Sequence, residues 1–229
     1  MSLVRNQVLS MLKIKMGFQI LIVVISSLFS GGCNSTYSPK PTGYFRIDLP
    51  ERAYQVFNRK DFPYSFEYPV YATIIQDTTF FEEKPENPYW INIDFPKFNG
   101  RIYISYNIIG GRATFKVKKK EGIYVDSVGL NSLERLIKGS YDLTFKHSYK
   151  ASSIEDSVFR TANGVEGIYF KLGGNTATSN QFLVTDSVKH FLRGALYFDA
   201  TPNEDSLIVV NNFLQEDMKH LINTLKWQN

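Results

Sequence analysis

Turn dipeptides flanked by alternating apolar and polar residues constrain this chain more than any other feature. Asn99-Gly100 separates Tyr89-Trp-Ile-Asn-Ile-Asp-Phe95 from Arg101-Ile-Tyr-Ile-Ser-Tyr-Asn-Ile-Ile109. Asn-Gly tolerates the positive φ of a tight hairpin turn, and alternation with period two puts every second side chain on one strand face. The stretch therefore predicts an antiparallel hairpin. Asn163-Gly164 marks a second turn ahead of Val165–Leu172, and Gly173-Gly174-Asn175 ends that strand. Ser179–Thr185 and Lys189–Asp199 read as a further strand pair around Asp186-Ser187. Shorter strands are expected over Tyr44–Pro50, Tyr64–Tyr68, Tyr71–Gln76 and Ile154–Arg160. Loops are expected at Phe81–Pro88, and at Gly110-Gly111 together with the run Lys116-Val-Lys-Lys-Lys120, which reads as a solvated loop or, alternatively, as a contact with an acidic partner or lipid headgroup.

The period changes twice. Over Gly129–His147, Leu130, Leu133, Leu136, Ile137 and Tyr141 fit one helical face, and Asn131 with Glu134 reads as a capping box. Ser206–Trp227 reads as a closing helix with Asp205 at its N-cap. Val210, Phe213, Leu214, Leu221 and Leu225 form its inner stripe, which Asp217 interrupts and Met218 can fill. Strands, helix, strands, helix, with hairpin turns between them, define an α+β class. The expectation is a single domain over residues 44–229, a curved and mainly antiparallel sheet flanked by helices. This order is similar to the Mog1/PsbP-type α/β/α sandwich, a likeness of fold that implies no function.

Apart from Phe18–Phe29, a mostly apolar run too short to span a bilayer, there is no apolar stretch that could be a membrane helix. Lys13 and Lys15 precede it, Ser30-Gly31-Gly32 follow it, and then comes Cys33, the only cysteine. This reads as an export leader over residues 1–32, and Met11 or Met16 would start a leader of more ordinary length. The segment resembles a bacterial lipoprotein signal, which implies cleavage before Cys33 and acylation of its thiol, for instance with palmitate. That class usually carries Leu three residues before the cysteine, where this chain has Ser30. A soluble exported chain with a free thiol, or an uncleaved anchor, stays open. Acylation accounts for an odd cysteine in an exported chain, because one cysteine cannot form an internal disulfide. Residues 33–43, with Pro39 and Pro41, read as a tether. Without residues 1–32 the chain has 23 basic and 22 acidic residues, since Arg5, Lys13 and Lys15 are removed and no acid is. That balance argues against nucleic-acid binding.

Catalytic chemistry finds no foothold. His147, His190 and His220 have no metal-ligand spacing, no cofactor fingerprint is present, and the adjacent acid pairs cannot face one another on a strand or helix. The expectation is a protein that is not an enzyme, with no metal and no cofactor. The segment Gln181–Phe198 carries Lys189, His190 and Arg193 among apolar residues. A cation there needs water or an acid, so Arg193 is expected either in a salt bridge to Asp186 or Glu166 or, with Lys189 and His190, in a polar patch that contacts a partner.

Tyr37–Pro50, Pro63–Pro69, Trp90–Phe98, and Gln181-Phe together with Arg193–Phe198 are similar, in order and spacing, to the gliding motility lipoprotein GldD family of Bacteroidetes. The resemblance covers nearly all of the chain after Cys33. It implies a lipid-anchored envelope protein needed for gliding, working with other gliding and type IX secretion proteins, and no catalytic residues. Asn34-Ser35-Thr36-Tyr37 carries no acid after the cysteine, which favours a domain facing the periplasm without deciding the membrane; the expected place is the outer membrane. The alternative is a periplasmic module binding a glycan or lipid in a pocket lined by tyrosines and Trp90.

Overall fold

A computed structural model describes Met16 and residues 47–76, 87–119, 122–146 and 148–228. Phe45–Asn229 forms one compact unit. The strands are β1 (Tyr54–Phe57), β2 (Tyr64–Pro69), β3 (Thr73–Gln76), β4 (Ile91–Phe95), β5 (Gly100–Ile108), β6 (Arg112–Lys118), β7 (Tyr124–Leu130), β8 (Ala151–Arg160), β9 (Glu166–Gly174), β10 (Asn180–Thr185), β11 (His190–Phe198) and β12 (Lys226–Trp227). Helix α1 is Leu133–Phe145 and helix α2 is Glu204–Thr224.

The main sheet has seven strands in the order β3-β4-β5-β11-β10-β9-β8. Every pairing in it is antiparallel. Strands β4 and β5 pair as the Asn-Gly turn predicts, with Ile91 opposite Ile104 and Ile93 opposite Ile102. Asn99 takes the turn at φ 47° after one 3-10 turn at Pro96–Phe98. Strands β10 and β11 pair around Asp186-Ser187, and Ser187 sits at φ 63°.

Alternation assigns the two faces. Ile91, Ile93, Phe95, Ile102, Ile104, Tyr106, Phe182, Val184, Leu192 and Leu196 point to one face and pack with Val210, Phe213, Leu214, Met218, Leu221 and Ile222 of α2. A small sheet, β1-β2-β12, joins this core through Phe57, Tyr64 and Phe66. On the other face, Phe170, Leu172, Leu183 and Phe191 pack against Leu133, Leu136, Ile137 and Tyr141 of α1. The fold is α+β, with a helix on each side of an antiparallel sheet. Strand β10 is buried along its whole length because both faces are covered.

Several sequence expectations are corrected. Residues 47–50 are not a strand, and the first strand is Tyr54–Phe57, held by its pairing to β2. The expected loop at Gly110–Lys120 is largely strand: β6 and β7 form a two-stranded hairpin of their own, since the lysines alternate with Phe115 and Val117 and satisfy a strand period as well as a loop. Leu130 ends β7, 60% exposed, instead of joining the α1 stripe. The N-caps fall one and two residues away from the expected ones. The Ser132 side chain accepts from Arg135 N–H, and Asn203 accepts from Ser206 N–H. Most of the expected loop at Phe81–Pro88, and His147, lie outside the described residues.

Gly167 of β9 tests how tightly the sheet is packed. A Cβ there would collide with the carbonyl oxygen of Leu183 on β10 and the ring of Phe159 on β8. Gly167→Ala is expected to lower unfolding stability by about 1–3 kcal/mol, measured by urea denaturation, whereas Gly139→Ala, on the open side of α1 with nothing near, should not destabilise.

Candidate functional site

The three residues singled out as a contact patch do not form one. Lys189 is exposed in the β10–β11 turn. His190 is 3% exposed and shares the β11 face of Leu192 and Leu196, which belong to the α2-side core. Arg193, three residues on, points to the opposite face by strand alternation. Cys33 lies outside the described residues.

His190 is held by its surroundings. Tyr106 Oη lies 2.7 Å from Nδ1, and the Trp227 ring stacks on the imidazole at 5.0 Å with the planes 8° apart. Asp186 Oδ1 accepts the backbone N–H groups of Val188, Lys189 and His190, which fixes the turn before it. Burial pulls the His190 pKa below 6.5 against the attraction of Asp186. Arg193 is part-buried and finds neither of its expected acids. Its Nη2 donates to Oε1 of buried Gln181, an oxygen that Thr144 of α1 also reaches at 3.2 Å. Burial pushes the guanidinium pKa down, and Glu166 pairs with Arg160 instead, at 3.6 Å.

Asp217, noted in the sequence only as a break in the α2 stripe, is the most heavily engaged polar side chain of the core. It is 1% exposed. The Tyr54 hydroxyl donates to Oδ1 at 2.9 Å, the Tyr71 hydroxyl donates to Oδ2, and Arg52 Nε lies 3.4 Å from Oδ1. Burial raises the carboxyl pKa even so, although both hydroxyls and Arg52 oppose it. Tyr54 is pushed up to about 12, by burial first and then by Asp217. The Tyr54 ring stacks on His220 at 3.6 Å, and His220 Nε2 lies 2.7 Å from Glu67 Oε2. The signal available in the sequence was an acid at a position where the helical period demands an apolar residue.

On the α1 side of the sheet, beyond the reach of α1, β4, β5 and β11 leave a cleft of about 480 Å3. Asp94, Arg101, Tyr103, Tyr197 and Asp199 line it. Register explains the set, because Asp94 is opposite Arg101 and Arg101 is opposite Tyr197. Arg101 grips Asp94 with two nitrogens, Nη2 to Oδ2 at 2.7 Å, and this grip raises the Arg101 pKa. Tyr103 and Tyr197 meet edge to face at 5.6 Å. Trp90 takes no part and donates Nε1–H to the Tyr106 carbonyl. The cleft can offer aromatic edges and a charged rim to a small polar ring. Among the described residues, no group of His, Cys, Asp and Glu could hold a metal ion, and no helix is long and apolar enough to cross a membrane.

Fold and site together define a small antiparallel α+β protein in which Asp217 and His190 are buried in hydrogen-bonded networks. The model of the gliding motility lipoprotein GldD family matches residues 34–227, and the chain belongs to that family. It is accordingly a gliding motility lipoprotein with a membrane-anchored place in the cell envelope. No curated protein matches the chain. Among solved structures, it is similar to the solution structure of cyanobacterial PsbP (CyanoP) from Synechocystis, with a TM-score of 0.39 and 10% identity over 82% of this chain and 99% of that one.

Two measurements probe the networks. Tyr71→Phe removes one hydroxyl from a buried carboxyl and is expected to lower stability by about 1.5–3 kcal/mol, read from denaturant midpoints. His190 has its folded pKa below 6.5, so the unfolded chain takes up the proton first. Stability is full above pH 6.5 and falls as pH drops below it, and His190→Gln should show a shallower loss in that window by thermal melting.

Proposed function

We propose that this chain is a non-catalytic assembly or structural component of the gliding machinery, acting beside the type IX secretion apparatus. The observation that carries the reading is the family match along residues 34–227. In this reading residues 1–32 are an export leader, Cys33 carries the acyl chains, residues 33–43 are a tether, and the domain faces the periplasm from the outer membrane. The match begins at residue 34, and everything ahead of Cys33 lies outside it, as suits a removed leader. Asp217 and His190, the groups a catalytic reading would take up first, are occupied by Tyr54, Tyr71 and Arg52 in one case and by Tyr106 and Trp227 in the other. Buried and engaged on several sides, they are poor candidates for proton transfer to a substrate. Several acyl chains would hold such a domain at the membrane essentially permanently.

The cleft at Tyr103 and Tyr197 supports a second reading, a module that binds a glycan. Sugar rings offer apolar faces to aromatic side chains and hydroxyls to a charged rim such as Asp94–Arg101.

Cys33→Ala tests the first reading. Metabolic labelling with an alkyne fatty acid should mark the wild type and not the variant. Affinity purification from cross-linked membranes should recover gliding or secretion components with the wild type and fewer with the variant. An unlabelled wild type would sink the anchor, and a wild type recovered alone would sink the assembly role. For the second reading, Tyr197→Ala should abolish any glycan-dependent chemical-shift change at the cleft.

A further inference from the structure

Among the described residues, the β6–β7 hairpin pairs with no other strand. Its root is clamped by Gly110 N–H to the Asn131 carbonyl and Asn131 N–H to the Gly111 carbonyl, both at 2.8 Å. One of its faces is seated. Ala113 is buried, and the Arg135 guanidinium of α1 lies 4.1 Å over the Phe115 ring. Its other face is bare among the described residues. Register puts Leu130 beside Arg112, Val128 beside Thr114 and the acid Asp126 beside Lys116, with Tyr124 at the far end. Leu130, Tyr124 and Val128 are 60%, 62% and 70% exposed, and Ile123 and Val117 at the tip are exposed as well. A two-stranded hairpin showing this much apolar surface is marginal in water and marks a contact surface.

We propose that this hairpin lies on an anionic lipid surface, with Tyr124, Val128 and Leu130 in the headgroup boundary and basic side chains on the phosphates. Three observations select lipid. Residues 112–130 carry five basic and two acidic side chains, although the rest of the chain after Cys33 is nearly neutral. The exposed apolar residues are aliphatic, with one tyrosine, the composition suited to the bilayer interface. The chain also belongs to a lipoprotein family, so a bilayer lies within reach. The hairpin would add a second attachment and set how the domain stands on the membrane, which a tether alone leaves free. It uses the family's membrane anchoring only as the source of the bilayer.

The test uses the chain from Asn34 to Asn229, which lacks Cys33. The described strand pairings and the helices α1 and α2 lie within residues 54–227, so this chain carries the core described above. Cosedimentation is measured with vesicles of phosphatidylethanolamine and phosphatidylglycerol, and with neutral phosphatidylcholine vesicles. Binding is expected to the anionic vesicles, to fall with salt, and to drop about fivefold for each cation removed, as in Arg112→Gln with Lys119→Gln. Val128→Ser with Leu130→Ser should weaken it about tenfold or more. With Tyr124→Trp, the emission should move to the blue on anionic vesicles only. No binding, binding that neither double variant weakens, or an unshifted tryptophan would overturn the proposal. So would binding to soluble polyglutamate with none to vesicles, which would assign the face to an acidic protein. Because Cys33 is absent throughout, failure here leaves the acyl-anchor reading to its own test.

Discussion

The pairing of β5 with β11 is the contact on which the rest of this structure depends. It runs over nine residue pairs, from Gly100 opposite Phe198 to Ile108 opposite His190, and closes a loop of more than eighty residues. It joins the β3-β4-β5 meander to the β8-β9-β10-β11 meander and makes one sheet of seven strands. Because side chains alternate with period two, this one register decides which face every inward residue of both halves joins. Ile102 and Ile104 then meet Leu192 and Leu196 under α2, while Arg101 and Tyr103 meet Tyr197 on the opposite face. A slip of one residue would turn both sets over.

The polar groups inside this frame follow from the cost of burial. An ionisable side chain away from water must be neutral, paired or hydrogen-bonded. Asp217 is surrounded by two hydroxyls and Arg52, which ties the segment before β1, β1 itself and the β2–β3 turn to the middle of α2. His190, with its pKa held down by burial, can be stacked beneath Trp227. Trp227 belongs to β12, which pairs with β2. The two networks thus lock the small sheet to the main core at different places, and both spend titratable groups on structure.

With the groups of the core engaged in this way, open surface remains on both sides of the sheet, at a cleft between β8, β9 and α2 and at the uncovered parts of the α1 side. Helix α1 is thirteen residues long and covers only part of its sheet face. The cleft at Tyr103 and Tyr197 lies beyond it, and the β6–β7 hairpin extends from the segment just before it. The apolar and cationic character of the hairpin distinguishes it from the nearly neutral remainder.

By itself the sequence determined the local elements. Asn99-Gly100 specified the β4–β5 hairpin, Asp186-Ser187 the β10–β11 hairpin, and the apolar period both helices, because turn chemistry and periodicity act over a few residues. The family too was legible, through long motifs at fixed spacing. The tertiary structure alone decided the β5–β11 register, the docking of β12 on β2 and the partners of Asp217. It also separated His190 from Arg193 onto opposite faces and drew the lysine-rich segment into a strand. These depend on residues distant in the chain, and local periodicity carries no information about which distant strand completes an edge or which hydroxyl meets a buried acid.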